Sequence, residues 1–108
     1  MIISTTSEIE GQKVTEYLGI VSGEAIMGAN FIKDFFAKVR DVVGGQSGAY
    51  EKVLKDARDA ALEQMQEEAE ERGATAIIGV DLDYETVGET NSMLMVTCSG
   101  TAVKTVGR

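Results

Sequence analysis

The longest periodic segment of the chain lies between Ser47 and Gly73, and it constrains the fold more than any other feature. Its apolar residues recur at intervals of three and four, with acidic residues on the opposite face. This spacing predicts an amphipathic helix over residues 48–72. Such a helix would be about 37 Å long at a rise of about 1.5 Å per residue. Because a compact domain of this size has a radius of gyration of only about 13 Å, we expect an elongated protomer.

Two elements are predicted before this helix. Residues 13–27 are rich in apolar side chains without helical spacing, which indicates a long strand. Gly19 and Gly23 within it predict a bulge, a bend or a close backbone approach. Apolar side chains then recur with helical spacing over residues 31–43, and Asn30 is placed to cap that segment. A first, shorter helix is therefore expected ahead of the long one.

The segment after the long helix changes to a period of two. Residues 76–87 predict a strand with Ile78, Val80, Leu82 and Tyr84 on one face and Asp81, Asp83 and Glu85 on the other. A turn over 88–91 and a strand over 93–106 complete an antiparallel hairpin. The expected fold is α+β, an antiparallel sheet with two helices on one face, in the order strand, helix, helix, strand, strand.

The last strand indicates self-association. Both faces of residues 93–106 carry apolar or small side chains, so neither is typical of a solvated surface. A chain of 108 residues forms a single domain, residues 1–108, and its helices cover only one face of the sheet. We therefore expect the other face to pack against a second copy in a homo-oligomer.

The composition excludes several classes of function. A net charge of −8, with 10 basic and 18 acidic residues, argues against nucleic-acid binding. The chain has no histidine, so histidine-based nucleophiles and general bases are excluded, and we expect no enzyme activity. With one cysteine, no N-terminal signal pattern and no apolar run long enough for a bilayer, we expect a cytoplasmic protein without a membrane span.

Several ligand sites are compatible with the remaining residues, and each has a simpler structural explanation. The carboxylates of Asp81, Asp83 and Glu85 offer oxygen ligands for a hard cation, or form a solvated acidic edge. Asp81 and Asp83 also have the spacing of paired glycosidase carboxylates, although acids on a polar strand face are usually solvated. Cys98 is a soft-metal ligand or a buried structural cysteine. The glycine-rich residues 44–48 have two interpretations: an anion-binding loop, or a tight turn between helices.

A set of glycine-centred motifs extends over nearly the whole chain. They include Gly19-Ile-Val-Ser-Gly23-Glu24-Ala-Ile-Met-Gly28-Ala-Asn30, Tyr50-Glu51, Gly73-Ala74, Ile78-Gly-Val-Asp81-Leu-Asp83-Tyr84-Glu85 and Ser99-Gly100-Thr101-Ala102-Val103. In this combination the chain resembles the YbjQ-type family. The resemblance implies a dodecin-like α+β subunit that assembles through its sheet into a ring-shaped pentamer. It also implies heavy-metal binding, with no particular residues assigned to it.

Candidate ligands for such a metal are few. Without histidine, a site needs copies of Cys98 gathered by symmetry, or the carboxylates of Asp81, Asp83 and Glu85 acting on a harder ion. We therefore expect a non-enzymatic oligomer that binds a metal ion or a small ligand in a cavity shared between subunits. The alternative is a structural or protein-interaction module with no ligand.

Overall fold

Four strands and one long helix make up the part of the chain that the structure describes. This computed structural model describes residues 1–27, 46–89 and 93–108. In chain order the elements are β1 (Ile2–Ile3), β2 (Gln12–Met27), α1 (Gln46–Glu71), β3 (Ala76–Val87) and β4 (Met93–Gly107). The β3–β4 hairpin, the long strand and the long helix are confirmed, each within two residues of its predicted ends. The helix predicted over 31–43 lies outside the described residues.

The sheet is mixed, which corrects the prediction of an antiparallel sheet. Its strand order is β1-β3-β4-β2. β4 pairs antiparallel with both β2 and β3, whereas β1 pairs parallel with β3, placing Ile2 opposite Ala76. The backbone N–H of Ser4 then donates to the carbonyl of Ile77 at 2.9 Å. Two residues are too few to show a period, so sequence patterning could not reveal this strand.

A bulge in β3 overturns one predicted face. The pairing shifts between Ile78 and Asp81, and Gly79 between them has a φ of 62°, in the left-handed region that favours glycine. The extra residue places Ile78 and Val80 on opposite faces of the sheet, in two separate hydrophobic clusters. The prediction that Ile78 shares a face with Val80 was wrong, because strict alternation assumes a strand without bulges.

The main hydrophobic core lies between α1 and one face of the sheet. Ala57, Ala61, Met65 and Ala69 recur every four residues along α1 and are all buried. Their buried partners in the sheet are Val21, Ile77, Val80, Val96, Cys98 and Ala102. The small alanines let the helix approach the sheet closely, so that a Cβ atom at Gly23 would overlap the backbone carbonyl of Ala61. Gly23 therefore marks a close backbone approach, one of the predicted roles for this glycine.

The C-terminus of α1 is closed by a Schellman motif. The N–H of Gly73 donates to the carbonyl of Glu70 at 2.9 Å, and the N–H of Ala74 donates to that of Ala69 at 3.0 Å. Gly73 has a φ of 78°, as this motif requires. The helix therefore ends at the glycine that was predicted to stop it.

The protomer is elongated, as predicted from the length of the helix. Its radius of gyration is 17.0 Å and its principal extents are 53 × 30 × 19 Å. Within the described residues, no helix is long and apolar enough to cross a membrane.

Candidate functional site: the open face of the sheet

The sheet face opposite α1, here called the open face, carries most of the predicted site residues. The residues on this face are identified by cross-strand pairing, because directly paired residues point to the same side of a sheet. It comprises Tyr17, Ile20, Ser22, Glu24 and Ile26 of β2, Met95, Thr97, Ser99 and Thr101 of β4, and Asp81, Asp83 and Glu85 of β3. A loop packs Ile9 over one end of this side, against a small cluster of Ala76, Ile78 and Val103.

Two aspartates on the open face interact directly. A side-chain hydrogen bond with Asp81 raises the pKa of Asp83 above its usual range, and the negative charge of Asp81 acts in the same direction. Desolvation and the charge of Glu85 add to the rise. Asp81 and Asp83 are both exposed. Asp83 therefore holds a proton more tightly than an aspartate without such a neighbour does.

Polar residues extend this pair across the sheet. Asp83 is paired with Thr97 on β4, and Thr97 is paired with Glu24 on β2. A depression of about 590 Å³ is lined by these three residues, by Gln64 and Glu68 of α1, and by Ser22, Gly23, Cys98 and Ser99. Adjacent strands lie about 4.8 Å apart, so Glu24 stands two strand spacings, or about 10 Å, from Asp83. The row offers oxygen ligands at both ends with a threonine hydroxyl between them.

Cys98 lies on the other side of the sheet from the carboxylates. Its Sγ donates to the carbonyl oxygen of Ala61 at 3.2 Å, with that of Gly23 at 3.7 Å, and only 3% of the residue is exposed. Burial raises the pKa of the Cys98 thiol, while the backbone of Gly23 acts on it in the opposite direction. The Cys98 thiol thus lies on the α1 side of the sheet and Asp81, Asp83 and Glu85 on the open face, although Cys98 and Asp83 both line the depression.

The described residues contain no group of three histidine, cysteine, aspartate or glutamate side chains gathered closely enough to hold a metal ion. The sequence pattern correctly placed Asp81 and Asp83 on one face, but it did not identify Glu24 or Thr97. Their position depends on the register of β4 between β2 and β3, which no local pattern reveals.

Large apolar side chains flank the polar row. Tyr17 is 71% exposed, Ile20 is 74% exposed and Ile26 is 57% exposed, all on the open face of β2. Tyr17 and Ile20 lie at one end of the polar row and Ile26 at the other, and exposed apolar side chains bordered by polar residues are typical of interaction sites.

Comparison with known proteins places this architecture in a family. A solved structure of a protein of unknown function from Pediococcus pentosaceus ATCC 25745, assigned to the DUF74 family, is similar in fold. Its TM-score is 0.65 with 17% sequence identity, and the match covers 96% of each chain. The YbjQ_1 family model, described as "Putative heavy-metal-binding", matches residues 1–106. From this match over nearly its whole length, the chain belongs to the YbjQ family.

Proposed function

We propose that this protein is a non-enzymatic, self-associating domain that binds a hard divalent cation on the open face of its sheet. The observation that carries this proposal is the placement of Asp81 and Asp83 on one exposed strand face, opposite Ser99 and Thr97, where Asp81 raises the pKa of Asp83. A divalent cation placed between two carboxylates replaces their mutual repulsion with attraction.

The residues do not fit a soft heavy metal, although the family description names heavy metals. Soft metals select thiolate ligands. The one thiol of the chain, at Cys98, is buried against α1 and donates to the carbonyl of Ala61. Binding there would require both deprotonation and opening of the core. Calcium, magnesium and manganese prefer the oxygen ligands that the open face presents.

A shared site completes the coordination of such a cation. Calcium takes about six to eight oxygen ligands, whereas one protomer brings two carboxylates together. We propose that the remaining ligands are water and residues of a neighbouring copy, in a cavity between subunits. The exposed Tyr17, Ile20 and Ile26 on the same face favour this association. A homopentameric ring is the assembly we propose, from the resemblance to ring-forming subunits.

The binding test uses protein purified with chelator and then dialysed free of it. Calorimetric titration with Ca²⁺, Mn²⁺ and Zn²⁺ is compared between the wild type, D81N/D83N and E63Q/E67Q. The last variant is a matched control, because it removes two charges from exposed positions of α1. We expect saturable Ca²⁺ or Mn²⁺ binding that D81N/D83N abolishes and E63Q/E67Q retains.

Two results would contradict the proposal. One is Zn²⁺ binding that survives D81N/D83N and disappears in C98A. The other is the absence of a response to every ion, which would favour the second candidate function, a protein-interaction module acting through the apolar part of the open face. Native mass spectrometry of the same samples reports copy number and bound mass together. A bare monomer would rule out the ring and the shared cavity.

A further inference from the structure

β2 is an outermost strand of the sheet formed by the described residues. It is 16 residues long and pairs with β4 on one side. An edge strand of this length is a template for pairing with another chain, because its outward backbone N–H and C=O groups lack strand partners. Proteins commonly protect such edges with charged residues, bulges or a covering element. The side chains next to this edge show which device is used here.

One stripe of the helical segment occupies the outer edge of β2. It consists of Gln64, Glu68 and Arg72, here called the edge stripe, which are spaced by four residues and therefore lie on one side of the helix. Gln64 Oε1 accepts from the N–H of Glu24 at 2.6 Å, and Glu68 Oε2 accepts from the N–H of Ser22 at 3.0 Å.

The edge stripe also binds a backbone carbonyl and is linked internally. Arg72 Nη1 donates to the carbonyl of Leu18 at 3.0 Å, and its Nη2 donates to Glu68 Oε1 at 2.9 Å. Two donors and one acceptor of the β2 backbone are thus bound to side chains. These are the groups that an added strand would use.

The segment that the edge stripe covers is suited to strand pairing. From Tyr17 to Met27 it is rich in apolar and β-branched residues and carries a single charge, at Glu24, and the whole chain has no proline. Two such edges can pair antiparallel about a two-fold axis, with the same groups bonded on each side. We propose that the edge stripe closes β2 to antiparallel pairing with the β2 strand of a second copy.

The test compares Q64A/E68A with a control of the same composition, Q66A/E70A. Gln66 Nε2 donates to Glu70 Oε1 at 3.1 Å. The control therefore removes the same two residue types at the same spacing, but from side chains that are bonded to each other. Light scattering after gel filtration, together with thioflavin fluorescence, reports mass and sheet extension. We expect Q64A/E68A to reach about twice the mass of the wild-type species or more, because pairing of two edges doubles it. Q66A/E70A keeps the wild-type mass.

A conservative variant separates edge closure from charge. E68Q retains a side-chain oxygen for the N–H of Ser22 but loses the ion pair with Arg72, and we expect it to keep the wild-type mass. An unchanged mass in folded Q64A/E68A, or an equal increase in Q66A/E70A, would overturn the proposal. The comparison is always with the mass of the wild type, so it does not depend on the proposed ring or on cation binding.

Amide hydrogen exchange in the wild type provides a test that needs no variant. The N–H groups of Ser22 and Glu24 point away from β4 toward the edge stripe, and we expect them to exchange slowly because Glu68 and Gln64 hold them. Exchange at the rate of an unstructured peptide would show that the edge is open, and the proposal would fail even if Q64A/E68A did not fold.

Discussion

The two-residue spacing of Asp81 and Asp83 in the strand affects the pKa of Asp83. In a strand, residues two apart project from the same face, so two aspartates at this spacing meet unless the backbone turns them apart. Here the pKa of Asp83 rises, first because of its hydrogen bond with Asp81 and then because of the charge of Asp81. The charge of Asp81 disfavours ionisation of Asp83, and groups with such shifted pKa values cluster at functional sites.

The first prediction concerns the pH dependence of stability without metal. Because the folded-state pKa of Asp83 is raised, the folded protein binds this proton more tightly than the unfolded chain does. Stability from this group is therefore lost as the pH rises from the usual aspartate range through the raised value. In the presence of a chelator, we expect D83N to have a higher Tm than the wild type at pH 7 and nearly the same Tm as the wild type at pH 3.

The control for this prediction is E63Q, which removes one exposed charge from α1. Thermal unfolding followed by circular dichroism at both pH values gives the comparison. A lower Tm for D83N than for the wild type at pH 7 would show that the Asp83 carboxylate stabilises the folded state, and the prediction would be wrong.

The packing of α1 on β2 and β4 is controlled by a few small residues. Glycine at position 23 and alanine at position 61 allow the two backbones to approach, and the Cys98 thiol donates to the carbonyls of both. Such contacts leave little room for an added methyl group, because protein interiors are close-packed. The distance between helix and sheet is therefore sensitive to single substitutions at this contact.

The second prediction is that G23A destabilises the fold by pushing α1 away from the sheet. The new Cβ atom would overlap the carbonyl of Ala61 and lie 2.8 Å from the backbone nitrogen of Met65, so backbone rather than a flexible side chain must move. We expect a loss of about 1–3 kcal/mol in the free energy of unfolding, as for other overpacked cores. Urea denaturation measures this loss.

G107A is the matched control, because a Cβ atom at Gly107 meets nothing within 4 Å. It should change the free energy of unfolding by less than about 0.5 kcal/mol. The rate of Cys98 alkylation provides a second measurement, and it should rise in G23A because the thiol loses its cover. Equal stability of G23A and G107A would mean that α1 does not lie as close to β2 as described.

The elongated protomer leaves one broad sheet face without a helix from the described residues. That face combines a polar row around Thr97 with the exposed apolar side chains of β2. A second copy that covers the apolar part would bring two sets of carboxylates together, so self-association and cation binding are expected to reinforce each other.

The third prediction tests the proposed self-association through the open face. Ile20, at 74% exposure on the open face, is replaced by lysine, and Val106, at 53% exposure near the end of β4, is replaced by lysine as a control. A charge buried in an interface is costly, so we expect I20K to lower the oligomer mass and V106K to keep it. Light scattering after gel filtration measures both. If I20K retained the wild-type mass, the proposed association through the open face would be wrong.

Local patterns in the sequence predicted each described element of more than two residues. The period of about four in residues 57–69 indicated the helix, and Gly73 indicated where it ends. The period of two that begins at Ala76 indicated β3. These signals could be read without the structure, because each depends on residues that are close together in the chain.

Only the tertiary structure decided which residues share the open face. β1, the bulge at Gly79, the row from Asp83 through Thr97 to Glu24 and the closed edge of β2 all depend on pairing between distant segments. A strand's period shows that it has two faces, but the face that meets the helix is chosen by register and packing. The sequence alone therefore determined the long helix, the three long strands and the absence of histidine chemistry, whereas β1 and the arrangement of the carboxylates required the folded chain.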